Sequence, residues 1–189
     1  MRIRFYSSNP AKIEEAIQVF ADYAIDLSVH HYEFTEIQDL HHERVVLNKI
    51  NQLPYSDSDV CIVDDTGLYV AAYANFPGIM SKFIYETLGY DAFLRLFPEG
   101  VSREGFFRAL VAVKIGSTIK VFEGKCDGYL ATSVRGSADD GRLYEPLFIP
   151  KGKNLTLAEM PSKQRYEYSY RVKALTRAAN YVQDILNKK

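Results

Sequence analysis

Three groups of side chains in this sequence are of the types that handle phosphate and hard cations. The first is the run Ser7-Ser8-Asn9-Pro10-Ala11-Lys12. Asn9 followed by Pro10 reads as an N-cap with proline at the first helical position, so unpaired N–H groups and the positive end of a helix dipole converge there. Such a terminus is a ready anion site, and Lys12, one turn in, is placed to neutralise a phosphate. The same residues also suit an ordinary capped helix with a solvated lysine. The second group is Asp64-Asp65-Thr66-Gly67, directly after the apolar run Val60-Cys61-Ile62-Val63. Adjacent carboxylates at a strand tip repel each other unless a cation sits beside them, and Mg2+ takes hard oxygen ligands of this kind. Asp65 is then the residue to hold the metal, to orient or deprotonate a water, or to do both. The competing reading is a turn in which aspartate caps neighbouring amides and Gly67 takes a left-handed conformation. The third group is dispersed: Glu36, Lys49, Lys82, Arg165 and Arg171. Cations are expected around a triphosphate, and Glu36 could complete a metal site with Asp65, but spacing alone does not separate these roles from solvated surface charge. The four histidines form the adjacent pairs His30-His31 and His41-His42. Neighbours at i and i+1 share neither a helix nor a strand face, and no HxxxH spacing exists, which argues against zinc.

The elements that must position these groups follow from pattern. Met1 to Ser7 predicts a short strand, and Ile13, Ala16, Ile17 and Phe20 predict a following helix with one buried face. A strand is expected around Asp26 to Glu33, then a helix from about His41 to Leu53 with Val46, Ile50 and Leu53 inward. Val60 to Val63 reads as a fully buried strand whose polar end reaches the sheet rim. Pro77-Gly78 breaks the chain before a helix from Lys82 to about Phe97, and two strand-like runs around Gly116-Ser117 predict a hairpin within Phe106 to Ala131. A loop rich in Gly, Asp and Pro between Ser133 and Lys153 holds a short strand at Leu147-Phe148-Ile149. A last helix runs from about Tyr168 to Leu186, with Leu175, Ala178, Ala179, Val182 and Ile185 on one stripe. Helix–strand alternation followed by hairpins predicts a mixed α/β domain around a long central sheet.

Composition narrows the function classes. The chain has 189 residues, 47% of them hydrophobic and 25% charged, with a net charge of −1. This suits a single soluble domain spanning 1–189 and lacks the basic footprint of a nucleic-acid binder. Cys61 and Cys126 are too few for a disulfide framework or a four-thiolate site, and read as reduced interior thiols of a cytoplasmic protein. The longest apolar run, Leu68 to Ala74, is far short of a membrane span, and Arg2 and Arg4 interrupt any leader-like opening.

Taken in order, the motifs resemble the inosine triphosphate pyrophosphatase family, also called non-canonical purine NTP pyrophosphatases, over nearly the whole chain. Ser7 to Glu15 is similar to the family's (Thr/Ser)-Gly-Asn-x-x-Lys-x-x-Glu opening, and Glu36-Ile37-Gln38 stands at its metal-binding glutamate. Lys49 falls at the next helical lysine. Asp64 to Leu68 resembles Glu-Asp-(Ser/Thr)-Gly-Leu, Phe76-Pro77-Gly78 resembles x-Pro-Gly, and Lys82 matches a basic residue soon after. Thr156 to Pro161 resembles a late family signature, and Ser169 to Leu175 resembles Ser-His-Arg-x-x-Ala-Leu.

The resemblance implies Mg2+-dependent hydrolysis of ITP, dITP or XTP to a monophosphate and pyrophosphate. It also implies a homodimer with an elongated mixed sheet flanked by helices, two lobes and a nucleotide cleft between them. Glu36 and Asp65 then hold Mg2+ and Asp65 also activates the water, with Asp64 in support. Ser7, Asn9, Lys12, Thr66, Lys49 and Lys82 contribute on the phosphate side. Departures gather at the base pocket. The family's Phe-Gly-(Tyr/Trp)-Asp-Pro is here Arg142-Leu143-Tyr144-Glu145-Pro146, Tyr170 replaces His, Arg171 is kept to read a 6-oxo group, and Arg165 stands where lysine is expected. Arg142 substitutes a guanidinium plane for a stacking ring, and Leu143 removes the conformational freedom of glycine. A shifted base preference is therefore expected. The alternatives are a nucleotide-binding sensor that has lost turnover and a hydrolase for modified pyrimidine nucleotides.

Overall fold

The computed structural model describes residues 1–54, 58–137 and 141–188. Among these, seven strands form one mixed sheet and five α-helices flank it. The elements follow in chain order as β1 (Arg2–Tyr6), α1 (Pro10–Asp22), β2 (Leu27–His30), α2 (His42–Asn51), β3 (Asp59–Val70), β4 (Pro77–Gly78), α3 (Ser81–Arg95), β5 (Glu104–Ile115), β6 (Thr118–Leu130), β7 (Phe148–Pro150), α4 (Ser162–Tyr168) and α5 (Tyr170–Leu186). The strand order is β2-β1-β3-β5-β6-β7, with the two-residue β4 paired to β3. The backbone divides into two compact units. One comprises Met1–Asp65, Ala109–Gly124 and Arg171–Lys189, the other Thr66–Arg108 and Lys125–Tyr170.

The first unit is built on two successive parallel crossovers. β1 pairs in parallel with β2 on one side and β3 on the other, in the registers Ile3↔Leu27 and Ile3↔Val60. The chain thus moves outward through α1 and returns past β1 through α2. Right-handed connections in opposite directions place their helices on opposite faces of the sheet. The α2 face packs Val46, Ile50 and Leu53 on Tyr6, Cys61, Val63, Leu110 and Ala112. The inward positions expected for α2 are the ones buried. On α1 the buried stripe is Ala11, Glu15, Ala16, Val19 and Phe20. The expected face is therefore rotated: Ile17 lies out in solvent and the carboxylate Glu15 is inside. A pattern that ranks residues by apolarity cannot see that Glu15 has a buried cationic partner.

The second unit holds an aromatic core of Phe93, Phe97, Phe107, Tyr144, Phe148 and Tyr170. Phe93 meets Tyr144 edge-on at 5.0 Å between ring centroids. Backbones approach closely at Gly67, where a Cβ would lie 2.5 Å from the Gly78 carbonyl oxygen. Closeness, and not a left-handed turn, therefore explains the glycine of Asp64-Asp65-Thr66-Gly67: its φ is not positive.

Three sequence expectations are corrected and one helix is added. Asp64 and Asp65 are not at a strand tip, because β3 continues to Val70. The helix expected from Lys82 ends at Arg95 and is interrupted at Gly89, whose φ is 66°. The C-terminal helix expected from about Tyr168 is α5, from Tyr170, and a short helix that the pattern does not predict, α4, precedes it across the extended Ser169. The first hairpin strand starts at Glu104, two residues early, while its turn at Gly116 (φ 56°) falls as expected. Part of the loop expected between Ser133 and Lys153 lies outside the described residues.

Candidate functional site

In open sheets with parallel strands, ligands sit beyond the carboxyl ends of strands where the chain's winding reverses. Here that point lies between β1 and β3. The register Phe5↔Ile62 carries forward to Ser7 beside Asp64, so the loop after β1 and the acidic pair on β3 meet there. The loop is internally fixed: Ser7 Oγ accepts from the Asn9 amide and Asn9 Oδ1 accepts from the Lys12 amide, both at 3.2 Å. Asn9 therefore is the cap of α1, as its ordinary reading required.

Because β3 runs straight through the acidic pair, its two carboxylates leave the strand on opposite faces. Each has its own cations. On the α1 face, Asp64 Oδ2 lies 3.1 Å from Lys12 Nζ and 3.3 Å from Arg171 Nε. Arg171, only 3% exposed, also donates from Nη1 to Glu15 Oε2 at 2.5 Å. On the α2 face, Asp65 Oδ1 is 2.7 Å from Lys49 Nζ and Oδ2 is 2.9 Å from His42 Nε2. Lys49 Nζ reaches Glu36 Oε1 at 2.7 Å as well. The expectation that two adjacent carboxylates need a cation beside them is thus met by two separate pairings, one on each face.

Burial alone would push the Asp65 carboxyl up, but Lys49, His42 and Lys12 outweigh it and hold the group well below the usual carboxylate range. Burial likewise disfavours the charge on Lys49, and here Asp65 and Glu36 prevail and raise it. At Lys12 burial wins: despite Asp64, the ammonium is lowered, with Lys49 and Arg171 adding repulsion. Four carboxylates, Glu15, Glu36, Asp64 and Asp65, face Lys12, Lys49 and Arg171 in this unit.

Glu36 sits on the irregular stretch between β2 and α2. Gln52 clamps that stretch, accepting from the Thr35 amide at 2.8 Å and donating to the Thr35 carbonyl at 2.9 Å. Tyr32 adds a bond from its hydroxyl to the Gln52 carbonyl. Among the described residues no group of three His, Cys, Asp or Glu is arranged to hold a metal. Two carboxylates drawn to one cation nevertheless match Mg2+, which commonly uses one or two protein carboxylates and completes its shell with water and phosphate oxygens.

The other expected residues lie in the second unit. Thr66 Oγ1 is buried without a hydrogen-bond partner among the described residues. Lys82 is exposed and 3.8 Å from Glu86 one turn along α3. Arg165 Nε stands 3.9 Å from Glu145 Oε2. Arg142, Tyr144, Glu145 and Tyr170 are all buried. Tyr170 stacks on Phe107 at 4.4 Å and 14°, and Tyr144 has its ring edges on Phe93 and Tyr85. Burial and the neighbouring tyrosines raise the Tyr144 hydroxyl pKa.

Sequence reasoning missed Glu15, His42 and Gln52. Glu15 was within the quoted opening motif, and its +4 spacing from Ala11 on the buried stripe was the only local signal. The spacing argument against zinc at His41-His42 says nothing of a single imidazole against a carboxylate.

The sequence matches the Ham1 family over residues 3–181. A dITP/XTP pyrophosphatase of Thermococcus kodakarensis is 34% identical over 98% of this chain and all of the relative, and one of Pyrobaculum aerophilum is 35% identical over 93% of each. Among solved structures, a HAM1 protein from Coxiella burnetii superposes with a TM-score of 0.82 at 20% identity, covering 97% of this chain and 99% of that one. The Staphylococcus aureus Ham1 protein gives 0.74 at 22% identity, covering 100% and 99%. With nearly every residue spanned by that match and by full-length relatives, this chain belongs to the Ham1 family.

Proposed function

We propose that this protein hydrolyses non-canonical purine nucleoside triphosphates such as dITP, XTP and ITP to the monophosphate and pyrophosphate. The observation that carries the reading is the convergence of Glu36 and Asp65 on one cation, each 2.7 Å from Lys49 Nζ, at the sheet's winding reversal. The names of the relatives, dITP/XTP pyrophosphatase, support the substrate class. Water adds to the α-phosphorus, the bond from that phosphorus to the bridging oxygen breaks, and the proton lost by water passes to a carboxylate. Asp65 is the acceptor we assign, because it stands beside Glu36 at the shared cation. Glu36 and Asp65 are the residues to hold Mg2+, which when bound supplies positive charge to the phosphate oxygens. Lys12 and Lys49 bear on the phosphates from the same unit, with the Ser7 and Asn9 loop orienting Lys12. Thr66 and Lys82 complete the phosphate contacts, while Arg142, Tyr144, Glu145, Arg165, Tyr170 and Arg171 are assigned to base recognition.

Mg2+ as the metal, a homodimer and a cytoplasmic setting are further parts of this proposal. Two buried free thiols are consistent with the last, and no helix among the described residues is long and apolar enough to cross a membrane. The test is release of pyrophosphate and orthophosphate from a panel of dITP, XTP, ITP and the ordinary NTPs, with and without Mg2+. Pyrophosphate from the deaminated purines supports the reading. Orthophosphate in its place overturns the reaction, and tight binding without turnover favours a sensor. Asp65→Asn is expected to abolish turnover in a chain that still folds, with a lowered melting temperature because the buried pairing with Lys49 loses its negative partner.

A further inference from the structure

His42 opens α2 and its side chain is 1% exposed, yet nothing apolar in its chemistry calls for such a position. Its Nε2 lies 2.9 Å from Asp65 Oδ2, while the other carboxylate oxygen, Oδ1, faces Lys49 at 2.7 Å. Both partners come from one helix, seven residues apart and therefore two turns apart on the same face. Side chains on a helix tilt toward its N-terminus, so the long stem of Lys49 reaches back to the carboxylate that His42 meets directly. The two oxygens thus face two different nitrogens, Oδ1 accepting a hydrogen bond from Lys49 and Oδ2 in close polar contact with the His42 ring nitrogen at 2.9 Å.

Resting on the assignment of Asp65 above, we propose that His42 is a positioning residue: it holds Oδ2 of Asp65 so that Oδ1 stays turned toward Lys49 and Glu36. Without the imidazole, Lys49 alone holds the Asp65 carboxylate, and one contact at Oδ1 leaves it freer to rotate about its last bond. The oxygen aimed at the cation and the nucleophilic water is then correctly placed for only part of the time. Partners that orient a metal-binding group without touching the metal typically change affinity or activity by about 10–100-fold.

The test compares wild type, His42→Phe, which fills the space without a donor, and His42→Gln, whose amide restores one. Binding of Mn2+ alone to nucleotide-free protein is read from the electron paramagnetic resonance of the free ion, and kcat and KM for dITP are measured in parallel. The phenylalanine variant is expected to bind Mn2+ at least about tenfold more weakly and to lose kcat by a similar factor with little change in KM, and glutamine to recover most of both losses. Should phenylalanine prevent folding, His42→Leu provides the comparison without a donor. Wild-type Mn2+ binding and kcat in the variant without a donor overturn the proposal. So does equal impairment of that variant and the glutamine variant with a matching fall in melting temperature, which is a structural role. Wild type that neither binds Mn2+ nor releases pyrophosphate removes the functional reading and this inference together. An active wild type, with Asp65→Asn inactive and the variant without a donor unaffected, removes this inference alone.

Discussion

Replacing Arg171 by methionine removes the one guanidinium that ties Glu15 on α1 and Asp64 on β3 to the start of α5. Both carboxylates are buried, and the contacts are 2.5 Å and 3.3 Å. Breaking a buried ion pair by deleting one partner costs about 3–5 kcal/mol, because the remaining charge is left in the interior. Asp64 keeps Lys12 at 3.1 Å, so most of the cost falls on Glu15. For a domain of this size each kcal/mol moves the melting temperature by about 2–4 °C, so a fall of about 6–20 °C is expected in a thermal unfolding experiment. The double variant Arg171→Met with Glu15→Met puts apolar volume where the pair was and is expected to regain at least half of that loss, since such replacements are often neutral or stabilising. The prediction also separates two roles for Arg171. If it serves mainly to read the purine, the methionine variant melts close to wild type and loses its discrimination between dITP and dATP. If it fixes the buried cluster, melting falls and turnover drops for every base alike. A single variant that melts within about 2 °C of wild type would refute the electrostatic reasoning.

Gln52→Ala unpins the stretch that carries Glu36, because both backbone bonds to Thr35 disappear. Divalent-ion affinity is expected to fall by about three- to tenfold with the melting temperature nearly unchanged, measurable by titration calorimetry with Mn2+. Asp39 is held at about 2 by the His41 amide, the His41 ring and Arg44, below its ordinary value. A depressed carboxyl adds stability above the unfolded pKa and loses it as pH falls through the folded one, so the start of α2 should loosen between about pH 4 and pH 2. Amide exchange at His41 and His42 checks this, and Asp39→Asn is expected to erase the acid transition. Gly67→Ala drives a Cβ onto the Gly78 carbonyl and should cost about 1–3 kcal/mol, read as a lower denaturant midpoint at unchanged m-value.

The alternation of strands and helices through β3 was legible because its signals are local: Asn9-Pro10 for the start of α1, Val46 and Ile50 for the inward face of α2, four successive apolar residues for a strand covered on both sides. The errors fall where a distant partner decides. Ile17 and Glu15 trade places because Arg171, 156 residues away, makes a buried carboxylate tolerable. Helix α4 goes unpredicted because its seven residues, Ser162–Tyr168, carry no buried apolar stripe.

The acidic pair shows how a motif can be found correctly and still be misread physically. Adjacent carboxylates are electrostatically costly when their side chains share a direction, and a strand end leaves that direction open. Continuing β3 to Val70 removes the freedom: the pleat sends Asp64 toward α1 and α5 and Asp65 toward α2. Whichever cations those helices offer then determine two different environments one residue apart. Asp64 is enclosed by Lys12 and Arg171, with a side chain only 1% exposed. Asp65 retains some access and shares Lys49 with the exposed Glu36. Under the proposed function, it is this second arrangement that presents a carboxylate to an incoming phosphate and its counterion. The difference in environment between two like residues is therefore a consequence of the strand's two-residue period, set against helices that right-handed crossovers place on opposite faces.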